Sequence, residues 1–153
     1  MKKLAVLILT FLMLLSTTSC FFQSKQDKLL ASVGKCENEQ FWSSGGFQDY
    51  TDFGIYTYTE ANLDDNKYLS VVTEDDIEIF CSFVDDFEEW VDAIEYSDPE
   101  NELVLNYSFD RSVINEGDYF FIYEDEDYPK YGCYDLWFFD KQSNKLYYFH
   151  NNI

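Results

Sequence analysis

The strongest pattern along the chain is an apolar stripe in which Ile77, Phe80, Val84, Phe87, Val91 and Ile94 recur three or four residues apart. That spacing puts about one side chain per turn on a single face and predicts a helix over 74–94. Cys81 and Trp90 flank the stripe, while Glu78, Asp85, Asp86, Glu88, Glu89 and Asp92 fall on the opposite face with no lysine or arginine to pair them. Carboxylates suit the N-terminal end of a helix and oppose its C-terminal end, so this helix must draw its stability from packing of the stripe. Thr73 followed three places later by Asp76 resembles a capping box, with Asp standing in for Glu or Gln, and Asp98-Pro99 ends the helix.

Shorter β-branched and aromatic runs predict strands at 53–59, 68–72, 102–109, 119–124, 131–139 and 145–150. Residues 102–109 alternate Leu103, Leu105, Tyr107 and Phe109, and the last two runs flank a hairpin loop at 140–144. Pairing Phe139 with Lys145 across that loop would set His150 opposite Tyr134 and close to Cys133. The order β-β-α-β-β-β-β predicts an α+β fold: an antiparallel sheet of about five to six strands with the long helix packed on one face. Tyrosines lie on both faces of several strands, so one covering helix should leave some of them accessible. Ahead of residue 53 the texture is looser. Residues 27–33 predict two helical turns stopped at Gly34, and Ser43-Ser44-Gly45-Gly46 is a break. The division expected is 1–19 as a signal, 20–52 as a tether and 53–153 as a single domain.

Charge sharpens this picture. The chain carries 30 Asp and Glu against 10 Lys and Arg, a net charge of −20, which alone would suggest disorder; with 20% Phe, Trp and Tyr it has the material for a core. The acidity is concentrated, since Arg111 is the single base between Glu74 and Asp127. Binding of nucleic acid through phosphates is excluded by such a surface, whereas a cationic protein partner, or simple solubility, fits it.

The first residues form a three-part export signal: Lys2 and Lys3, an apolar run from Leu4 to Leu15, then small polar residues up to Cys20. The run is shorter than the roughly 20 residues a membrane-spanning helix needs. Leu15-Ser16-Thr17-Thr18-Ser19-Cys20 resembles the lipobox of bacterial lipoproteins, with Thr17 where that family favours an aliphatic residue. The resemblance implies cleavage before Cys20, lipid attachment to Cys20, and a protein held on the lipid bilayer of the cell envelope, facing outside the cytoplasm. The competing reading is cleavage near Ser19 to release a soluble protein. Cys36, Cys81 and Cys133 then remain, an odd number that permits one bridge in an oxidising compartment; Cys81 with Cys133 is the favoured pair.

Catalytic and metal signatures are missing from the sequence: no H-E-x-x-H, C-x-x-C, G-x-S-x-G or phosphate-binding glycine loop occurs, and no cofactor is implied. Glu124-Asp125-Glu126-Asp127 does not match a calcium loop and reads as an exposed turn. Carboxylate pairs spaced for hydrolysis arise by chance in so acidic a chain. His150, the single histidine, next to Cys133 would be the sharpest catalytic candidate, but no orienting third group is apparent. The expectation is a non-enzymatic binding module, one version being an immunity or inhibitor protein against a basic toxin; a carboxylate-dependent hydrolase of the envelope is the alternative.

Overall fold

The computed structural model describes residues 25–46, 49–124 and 133–152. The chain forms two compact units, residues 1–32 and 33–153. Helix α1 (Lys25–Val33) closes the first and reaches the first residue of the second, and Gly34 follows at φ 137, a conformation that suits a residue without a side chain. The remaining elements belong to the second unit: β1 (Cys36–Ser43), β2 (Tyr50–Tyr58), β3 (Ser70–Val71), α2 (Glu74–Ser97), α3 (Glu102–Asn106), a 3-10 turn at Arg111–Val113, β4 (Tyr119–Glu124), β5 (Cys133–Asp140) and β6 (Lys145–Asn152).

The six strands form one antiparallel sheet in the order β1-β2-β6-β5-β4-β3, and the long helix packs on it, so the chain is α+β. Phe80, Val84, Phe87 and Val91 are the buried residues of α2, and they join Phe53, Ile55, Leu136, Phe138 and Phe149 of the sheet in one core. Phe80 packs on Phe138 with ring centroids 5.1 Å apart, and Phe87 meets Phe149 edge-on at 5.3 Å. The capping box at the start of α2 is formed: the Asp76 carboxylate accepts from the Thr73 backbone N–H (2.9 Å) and hydroxyl (2.6 Å), and these bonds hold it below its ordinary pKa.

Four expectations are corrected. Residues placed in a tether contribute β1, an edge strand of mostly exposed polar residues. It lacks apolar alternation because its anchoring comes from Trp42, whose ring stacks on Phe53 at 5.9 Å. The strand expected at 102–109 is replaced by α3. Asn101 caps it by accepting from the Leu103 N–H (3.1 Å), and the Tyr107 N–H donates to the Leu103 carbonyl (2.8 Å). Four-residue spacing therefore turns Leu103 inward while Leu105 is exposed, as an alternating strand would not. The hairpin closes on Asp140↔Lys145 rather than Phe139↔Lys145. Finally, the second sheet face is not open in its centre, for Tyr56, Tyr58, Trp137 and Tyr148 are all buried and Trp137 stacks on Tyr148 at 4.1 Å.

Candidate functional site

Two features have the chemistry of a site. The first is the outer face of α2. Once the stripe is buried, Glu74, Asp75, Glu78, Asp85, Glu89, Asp92 and Glu95 are left exposed along the helix. No lysine or arginine occurs between Lys67 and Arg111, so the sequence supplies the helix with no internal counter-charge. Arg111, placed by the 3-10 turn whose Ser112 N–H is capped by the Asp110 carboxylate, bridges Asp85 and Glu88. Its hydrogen bonds with Glu88 and Asp85 raise its already high pKa, so it stays charged. Glu88 also accepts from the Tyr107 hydroxyl (3.0 Å), a bond that ties α2 to the segment after α3. The charge not met by Arg111 lies toward both ends of the helix.

The second feature is a row across three strands. Asp52 of β2 stands opposite His150 of β6, which stands opposite Asp135 of β5. His150 Nδ1 lies 2.8 Å from Asp135 Oδ1; since a carboxylate only accepts, Nδ1–H is the donor, and the Tyr148 hydroxyl donates to the same oxygen at 2.7 Å. Asp135, His150, Tyr50, Tyr123 and Cys133 line a shallow depression of about 210 Å³. Asp52 is buried, with Oδ1 lacking a hydrogen-bond partner among the described residues, and burial raises its pKa against the lowering effects of Ser43 and His150.

This row has the parts of a general base without its access. Asp135 holds the imidazole through Nδ1, but Nε2 is itself buried and, among the described residues, has no partner. The Cys133 thiol donates to Asn152 Oδ1 at 2.9 Å, and Cys133 stands opposite Asn152. The one-residue change in register thus replaces Tyr134 by Asp135 as the neighbour of His150, supplying the orienting group that sequence reading missed. Had the loop been counted as four residues, 141–144, with Asn144 at φ 53, the His–Asp pair would have been readable from parity alone.

Other predicted positions fall as follows. Cys20, the expected lipid site, and residues 125–127 of the acidic run lie outside the described residues. Among the described residues Cys36, Cys81 and Cys133 form no disulfide with one another, so the bridge expected between Cys81 and Cys133 is not formed in this structure. Among the described residues no group of three or more His, Cys, Asp or Glu is placed to hold a metal, and no helix is long and apolar enough to cross a membrane. No protein family, curated protein or solved structure matches this chain.

Proposed function

We propose that this chain is a non-enzymatic binding module, exported and held on a bacterial membrane by lipid on Cys20, that engages a cationic protein through the outer face of α2. The observation that carries the reading is the run of exposed carboxylates along that helix with Arg111 as its one bridging base among the described residues. Such a face costs the helix stability, since like charges three and four residues apart repel and acids near a helix C-terminus oppose the dipole. A long single-sign face speeds encounter with a basic partner and rejects acidic ones. Neutralisation of a basic toxin by an immunity or inhibitor protein is one form of this activity. Membrane attachment is supported by Lys2, Lys3, the apolar run and the lipobox-like segment ending in Cys20.

The test uses a lysine-rich peptide as probe. Its affinity should fall at least tenfold between about 50 mM and about 0.5 M NaCl, as exposed charges are screened, and again when Glu78, Glu89 and Asp92 are changed to amides. Affinity indifferent to both salt and the amide variants would overturn the reading. Intact mass of the exported protein, in turn, should carry acyl chains on Cys20; an unmodified Cys20 would remove the anchor from the proposal.

A further inference from the structure

We propose that the outer edge of β1 is a docking site for an extended basic segment of another protein, which joins the sheet there as a further antiparallel strand. This goes beyond the α2 reading and does not depend on it, since α2 packs on a face of the sheet and β1 forms its border.

The alternation of an antiparallel ladder tells which main-chain groups are open. Ser44 N–H donates to the Thr51 carbonyl at 2.8 Å, and the same register runs from Ser43↔Asp52 to Asn38↔Thr57. Every second residue of such a strand turns its N–H and C=O toward a given neighbour. Asn38, Gln40 and Trp42 therefore bond to β2, while Glu39, Phe41 and Ser43 turn their main-chain groups away from it. Among the described residues nothing takes those outward groups. The open stretch has definite ends. One is a bulge between Cys36 and Asn38, and the other is the Ser44 carbonyl, which accepts from Asn101 Nδ2 at 3.1 Å.

The side chains along this edge specify the occupant. Glu39 and Phe41 lie two residues apart and so share one face. Phe41, 44% exposed, stacks on Tyr148 at 6.4 Å, and Tyr148 stacks on Trp137 at 4.1 Å. Gly54 stands between Phe41 and Tyr148 in the register, so the two rings meet over a position without a side chain. This aromatic row runs to the border of the sheet and stops at Phe41, where an apolar side chain on an added strand would extend it. Glu39 is exposed, as is Glu37 in the bulge, and among the described residues neither has an ion-pair partner. A lysine or arginine opposite Glu39 would be attracted and an acid repelled. The fitting segment therefore carries an apolar residue opposite Phe41 and, two places on, a base opposite Glu39. Main-chain bonds to the outward groups would supply affinity, and these two side chains selectivity.

The probe is acetyl-Thr-Val-Thr-Lys-Thr-Lys-amide, titrated into the purified protein while amide hydrogen exchange is followed by NMR. The Glu39 and Phe41 N–H groups should exchange fast in the free protein and at least tenfold more slowly with saturating peptide, with Kd on the order of 1 mM for so short a strand. E39K should weaken the probe about fivefold and tighten, by a similar factor, a peptide with Glu in place of both lysines. N-methylation of the valine and the first lysine keeps the charge but removes the N–H groups that enter the ladder, and should abolish binding. Changing Glu78, Glu89 and Asp92 to amides should alter the affinity less than about twofold, given the screening of distant charges at 0.15 M salt. The proposal is overturned if the two amides are already protected without peptide, or if they stay unprotected at millimolar peptide. It is also overturned if E39K changes neither peptide's affinity, or if the N-methylated probe binds as well as its parent. In that last case, with affinity lost in the α2 variants instead, the cationic-partner reading would stand alone.

Discussion

Replacing Asp52 by Asn should stabilise the protein at neutral pH and leave it nearly unchanged near pH 4. Asp52 is 8% exposed, its Oδ1 has no hydrogen-bond partner among the described residues, and burial raises its pKa above the ordinary 3.8. A carboxyl group whose folded pKa is raised binds its proton more tightly in the folded state. Its contribution is thus fully present below the unfolded value and is lost as pH rises through the folded one. Asparagine has no such titration, so the gain from D52N should grow over the window running upward from 3.8 to the raised value and then level off. An unpaired buried acceptor costs about 1 to 3 kcal/mol, and interactions with Ser43 and His150 offset part of it, which leaves about 1 to 2 kcal/mol on the plateau. Urea unfolding followed by circular dichroism at several pH values would measure this as a rise in the midpoint at constant slope. A variant less stable than the parent at pH 7, or a difference that does not change with pH, would refute the reasoning.

Three further outcomes follow from the packing. F80A should cost about 3 to 5 kcal/mol, because Phe80 is 1% exposed amid Phe109, Phe138 and Phe149; a loss under about 1 kcal/mol in the same urea assay would mean that α2 does not seat there as described. N101A should cost about 0.5 to 2 kcal/mol through loss of the α3 cap, and the loss should be smaller in N101D, which keeps the acceptor for Leu103 N–H. Titration of thiols in the unfolded, unreduced protein should find Cys36, Cys81 and Cys133 all reactive; recovery of one thiol with a two-dalton mass gain on reduction would show two of them bridged, and a peptide map linking Cys81 to Cys133 would restore the expected pair.

Where one force dominated, the sequence was legible. The α2 stripe and its Thr73–Asp76 cap could be read residue by residue, because helical spacing and a local hydrogen bond specify them without help from the rest of the fold. β1 was not legible, since Glu37, Asn38, Glu39 and Gln40 carry no apolar alternation and become a strand by pairing with β2. Residues 102–106 misled because Leu103, Leu105 and Tyr107 fit a period of two as well as a short capped turn, and the Asn101 side chain decided between them. The His150–Asp135 contact hung on a single residue of loop length. The hydrogen bond from Thr51 to Asn151 joins side chains 100 residues apart, which only strand order brings together.

The two outermost strands have a consequence for how copies of the protein behave when crowded. An unpaired strand edge is a template for another chain, and sheets that leave one open tend to polymerise. Here one border, β3, is only two residues long, too short to seed a ladder. The other, β1, spans eight residues but sets Glu37 and Glu39 among its exposed positions. Two such edges approaching each other would bring like charges face to face. The same acidity that gives α2 its field therefore also guards against fibre growth, and a double change of Glu37 and Glu39 to Thr, silent in the folded monomer, should show itself as concentration-dependent aggregation.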